Sequence, residues 1–263
     1  MMQQKEISKE KALNEALFEY IVSIADDLLI LGHRISEWCG HGPILEEDIA
    51  LTNIALDHIG GASALMQLAV QIEGKGRSED DLAYFREAVE FKNLQITELP
   101  IGDFGFTIAR QFLFDNFSYF LYGELTKSSN KELAAIASKI YKEVLYHLRH
   151  STEWVLRLGD GTHESHTRIQ SAFDELWMYT DEMFSIEESQ KILLKEKIIP
   201  DIAKVKAQWL QRVNETLSTA TLVLPNDDIY FSRGSRKGIH TEHLGHLLAE
   251  MQIVARSFPG AKW

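Results

Sequence analysis

KIYKEVLYHLRHSTEWVLRLGDG, residues 139–161, decides how the chain is read. Counted in steps of three and four from the turn before it, one stripe runs Ile136, Ile140, Glu143, His147, His150 and Trp154. That spacing predicts a helix with an apolar inward face, yet the middle of the face holds a carboxylate and two imidazoles. Ionisable groups tolerate burial only when hydrogen-bonded, paired or bound to metal, so the stripe predicts either a closed polar network or a metal centre.

Outward from this segment the chain is helical nearly throughout. Its five prolines, Pro43, Pro100, Pro200, Pro225 and Pro259, leave long intervals of 3.6-type periodicity with no convincing alternating strand, which predicts an all-α fold. A first helix, about residues 10–39, has Leu17, Ile21, Ile24, Leu28, Leu31, Ile35 and Trp38 in a four-three rhythm. A second, about residues 46–73, places Ile49, Leu56, Ile59, Met66 and Val70 on its apolar side, with Asp57 on a neighbouring stripe and small residues at 60–63. Ser78 and Asp81 have capping-box spacing for a short helix within a long crossover. Asp103 or Thr107 can cap a third long helix, in which Asp115 and Glu124 read as solvent-facing, and Asn130 can cap the fourth. Four long helices before about residue 160 predict a ferritin-like four-helix bundle. Further helices near residues 166–183, 201–217 and 241–256 would pack around it, making 1–263 one domain with its core at about 10–160 and packing helices at about 162–257.

Composition narrows the function. With 45% hydrophobic residues in 263, the chain can bury a substantial core, and with one cysteine, Cys39, it forms no intrachain disulfide and no four-cysteine zinc site. Its formal charge of −12 repels phosphate backbones, so nucleic acid is not an expected partner. The first residues, MMQQKEISKEKALNEAL, lack the apolar segment of a signal peptide, and no apolar run is long enough to cross a bilayer. The expected setting is the cytoplasm.

Ferritin-like bundles hold two irons with one Glu from each of two helices and a Glu-x-x-His motif from each of the other two. None of the ten histidines here has Glu three residues before it; on the long helices the residues found there are Ile30 before His33, Ala55 before His58, Val144 before His147 and His147 before His150. The pattern predicts the architecture without its metal ligands.

The segments LILGHRISEWCGHGPILEEDIALTNIALD, GDFGFTIARQFLFDNF, KEVLYHLRHSTEWVLRLGDGT and KGIHTEHLGHLLAEMQ, closing with PGAKW, resemble the C-subunit family of ring-1,2-phenylacetyl-CoA epoxidase, a bacterial multicomponent monooxygenase. The resemblance spans essentially the whole chain. It implies a ferritin-like chain without metal ligands that binds the di-iron A subunit and is required structurally in phenylacetate degradation. On that reading this chain has no catalytic residue, no metal and no cofactor of its own, and the di-iron centre belongs to the partner A subunit.

The remaining candidates are polar clusters. Glu143, His147, His150, Asp57, His33 and Glu37 are expected to form the buried network at the vestigial site, with Asp57 answering a cation such as Arg110 or Arg149. Arg233, Arg236 and Lys237 form the one concentrated basic run, before a helix that Thr241 could cap. The run suits a coenzyme A phosphate at the subunit interface, an acidic partner surface or plain solvent exposure. His240, His243 and His246 lie on one segment, which rarely completes a coordination sphere. Three function classes follow. They are a non-catalytic oxygenase subunit, an autonomous ferritin-like metalloenzyme with an atypical site at Glu143, His147 and His150, and a scaffold for another helical partner.

Overall fold

Helix α1 (Met2–Ser36) forms the first side of the bundle in the computed structural model, which describes residues 2–261; the last two residues of the PGAKW ending lie outside them. A short turn leads to α2 (Leu45–Glu73), which ends at Gly74 in a left-handed conformation whose N–H donates to the Val70 carbonyl. The crossover that follows contains α3 (Glu79–Tyr84) and α4 (Gln95–Glu98). The Ser78–Asp81 capping box forms in full. Asp103 caps α5 (Phe104–Leu125) and Asn130 caps α6 (Lys131–Gly159), each accepting a backbone N–H in the first turn. Then come α7 (His163–Leu176), α8 (Lys191–Lys195), α9 (Ile202–Thr219) and α10 (Glu242–Ser257). No strand occurs among the described residues, and none of their helices is long and apolar enough to cross a membrane.

Short connections make α1 and α2 one packed pair and α5 and α6 another, and the pairs meet through α2 and α6. One long crossover joining two hairpins is the topology of ferritin-like bundles. The small residues expected to permit close approach do so at Gly61, where an added Cβ would lie 3.1 Å from Leu28 of α1 and 3.3 Å from Ile140 of α6. The C-terminal helices pack around this frame: α7 and α9 lie against α5 and α6, and α10 against the crossover. Buried apolar side chains from Ala16 to Leu248 join in one contiguous core. Covered from several directions, α5 is buried along most of its length, and Trp209 of α9 donates its indole N–H to the Leu113 carbonyl at 2.9 Å.

Several expectations are corrected. The first helix stops at Ser36 rather than near Cys39, and Thr241 precedes α10 without a side-chain cap, its own N–H being held by Glu98. Asp115 is not solvent-facing but 1% exposed, because it points into the bundle toward Ser151 of α6. The expected apolar side of α2 is partly external: Ile49 and Leu56 are 53 and 62% exposed, and Leu45, one turn before Ile49 on the same face, is 71% exposed. The inward stripe instead runs Leu51, Ile54, Ala55, His58, Ala62 and Leu65.

Candidate functional site: the polar centre of the bundle

The inward face of α6 is rotated slightly from the stripe read in the sequence. It consists of Ala137, Ile140, Val144, His147, Leu148, Ser151 and Val155, so His147 is fully inside while Glu143 and His150 flank it. From α2, His58 projects to the same place, its ring centroid 5.0 Å from that of His147. From α5 comes Asp115, whose Oδ2 accepts the Ser151 hydroxyl at 2.8 Å. One ligand atom from each of His58, Asp115 and His147 lies within 4.8 Å of the other two.

Two acidic groups of α2 reach α6 from the side. Asp57 Oδ2 is 3.0 Å from His147 Nε2, and Glu47 Oε2 is 2.7 Å from His150 Nε2. The Asp57 side chain is 37% exposed and that of His147 1%, so the carboxylate sits at the rim and the imidazole beneath it. Burial holds His58 well below the usual imidazole range, an effect to which the neighbouring His147 and Arg110 add. Burial likewise pushes Asp115 up to about 6, against the opposing pull of His147 and the Ser151 hydrogen bond. Glu143 is raised by its partial burial and by repulsion from Asp57.

Of the residues expected in the network, the structure brings together Asp57, His147 and His150, adding Glu47. The carboxylate partners of the imidazoles come from α2, not from Glu143, which lies on the same helix as the histidines and bonds neither. Neither Arg110 nor Arg149 answers Asp57. Arg110 donates to the Leu99 and Pro100 carbonyls, and Arg149 pairs with Glu153. His33 and Glu37 stand apart: Glu37 accepts from Arg34 at 2.7 Å, and burial lowers the His33 pKa. Sequence reasoning misses His58 and Asp115. A search for Glu three residues before each histidine passes over His58, although its place on the apolar stripe of α2 is a signal.

This donor set does not fit two irons. Two imidazoles and one carboxylate converge, where a di-iron centre needs about four carboxylates and two histidines. Ala55 and Val144 occupy the positions three before His58 and His147, and a methyl and an isopropyl group offer no ligand atom.

The basic run is also corrected. Arg236 is largely buried, its guanidinium gripping Asp27 and donating to the Ser23 and Lys92 carbonyls. Arg233 pairs with Asp181, and Lys237 lies 3.6 Å from Glu187. The Thr241 N–H before α10, where an anion would be expected, is taken by Glu98, and the backbone N–H groups of Gly234 and Ser235 within the run by the Glu182 carboxylate at 2.6 and 2.9 Å. An internal acid thus satisfies the groups that would have received a phosphate. His240 is engaged too, with Nδ1 2.8 Å from Glu98 and Nε2 2.9 Å from the Phe91 carbonyl.

Sequence relatives agree with this architecture. The chain is 42% identical over 247 residues to the C subunit of 1,2-phenylacetyl-CoA epoxidase from Escherichia coli (strain K12), a match that covers 94% of this chain and 99% of that relative. A family model described as "Phenylacetic acid catabolic protein" matches residues 1–263, and the chain belongs to that family.

Proposed function

We propose that this chain is a non-catalytic structural subunit of a ring-1,2-phenylacetyl-CoA epoxidase, supporting a di-iron A subunit that performs the chemistry. The observation that supports it is the pair Ala55 and Val144. The bundle keeps both histidines of the expected motif but lacks the carboxylates needed to hold two irons and activate oxygen between them. The outward row Leu45, Ile49 and Leu56 supports a subunit role as well, since apolar side chains repeated along an exposed helix face favour a partner surface over water. The interface we assign to the A subunit therefore includes α2. Residues 1–263 act as one ferritin-like unit in this reading, and the complex works in the cytoplasm.

Purifying the chain alone and together with its candidate A subunit tests the proposal, with iron content and epoxidation of phenylacetyl-CoA measured for each. The expected result is epoxidation only by the pair. Two irons per chain and turnover by this chain alone would make it an autonomous metalloenzyme.

A further inference from the structure

We propose that His58, Asp115 and His147 together bind a single divalent first-row transition-metal ion at the centre of the bundle. The three side chains come from α2, α5 and α6 and are all buried. Each has one polar atom inside the protein with no hydrogen-bond partner: His58 Nε2, Asp115 Oδ1 and His147 Nδ1. Leaving one such group unsatisfied is costly, and three in one place favour a shared occupant that bonds all of them.

The surrounding bonds prepare these atoms for a cation. The Asp57 carboxylate accepts a hydrogen bond from His147 Nε2–H, and in the neutral imidazole that tautomer leaves the Nδ1 lone pair free. A carboxylate behind a histidine is the usual outer support of an imidazole ligand. Ser151 donates to Asp115 Oδ2 and leaves Oδ1 as the open acceptor. Gln111, one helical turn before Asp115, has both side-chain polar atoms buried and unpartnered, and can bond a water on the ion.

Charge and ligand chemistry set the class of ion. Asp57, Glu47 and Asp115 bring three carboxylates to this part of the bundle. Against them stands the single charge of Arg110, which reaches His58 and whose Nη1 donates to the Leu99 and Pro100 carbonyls. Two imidazoles with one carboxylate suit zinc(II) or iron(II), whereas calcium and magnesium prefer all-oxygen shells. Ligand atoms about 2.0–2.1 Å from a tetrahedral ion lie roughly 3.3 Å apart. The observed spread, within 4.8 Å, closes by small side-chain rotations. The inference does not rest on the oxygenase reading, since a closed one-metal site requires neither an oxygen-activating pair nor a partner.

Titration of the chelator-treated full chain with cobalt(II) and zinc(II) tests it. Wild type should take up one equivalent, show the visible ligand-field bands of nitrogen-ligated cobalt(II), and melt at a higher temperature with zinc(II) present. His58→Gln and Asp115→Asn should abolish that uptake. Asp57→Asn should weaken it about 10- to 100-fold. The surface control His243→Gln/His246→Gln should leave it unchanged. Folded wild type that binds neither ion saturably, or folded His58→Gln/Asp115→Asn that still takes up a full equivalent, would overturn the proposal. The wild-type titration decides the matter even if the core variants fail to fold. Two irons in wild type would refute the structural-subunit reading instead, so the two failures are distinct.

Discussion

Arg236 and Asp27 form a two-pronged ion pair beneath the surface, with Nη1–Oδ1 at 2.9 Å and Nη2–Oδ2 at 2.7 Å. Residues 209 apart in sequence are thereby tied together, fastening the segment before α10 to the middle of α1. Arg236→Gln should lower stability by about 3–5 kcal/mol, because it leaves a buried carboxylate without its counter-charge. The exposed neighbour Lys237→Gln should change it by under about 1 kcal/mol. Urea denaturation of both variants checks the contrast. Normal stability of the Arg236 variant with a raised KM for acyl-CoA in the assembled complex would return the basic run to substrate binding.

His240 gives stability a pH dependence. Burial alone would lower its pKa, but the hydrogen bond and charge of Glu98 outweigh burial and raise it above the ordinary 6.5. The folded state therefore holds a proton that the unfolded chain loses first. This contribution is fully present below the unfolded pKa and disappears as pH rises through the folded one. As pH rises above about 6.5, the unfolded value, the urea midpoint of wild type should fall more steeply than that of His240→Gln. Parallel slopes would place the neutral imidazole at this site.

Glu143 and Asp57 should behave differently. Glu143 is half-buried and bonds to neither imidazole, and its carboxylate is disfavoured by burial and by Asp57, so Glu143→Ala should cost no more than about 0.5 kcal/mol. Asp57→Ala removes the partner of a buried imidazole nitrogen and should cost about 1–3 kcal/mol. Paired thermal melts decide it; a loss of that size at Glu143 would restore it to the network.

His150 tests where the chemistry resides. His150→Gln preserves size and a side-chain N–H able to reach Glu47, so the assembled complex should turn over within about twofold of wild type. A loss of several orders of magnitude with assembly and folding intact would place this chain in the reaction.

The helices and most of their caps are legible in the sequence, because periodicity and the Ser78, Asp103 and Asn130 signals act locally. The site is only half legible. His147 and Asp57 can be placed on their helices, but which face turns inward is settled by neighbours that spacing does not reveal. Spacing alone therefore sets the stripe of α6 one position out of phase, which gives Glu143 a role that α2 supplies. Asp115 reads as exposed in isolation and is buried because it faces α2 and α6 across the bundle, a pairing that spacing along α5 does not reveal. Arg236 misleads for the same reason: its acceptor lies 209 residues earlier.

The burial of α5 bears on synthesis. A growing chain releases its four long helices from the ribosome before the segment bearing Trp209 exists, so the face of α5 that Trp209 later covers stays wet in the nascent protein. Chaperone occupancy during translation should accordingly persist past the end of α6 and drop only once α9 has emerged.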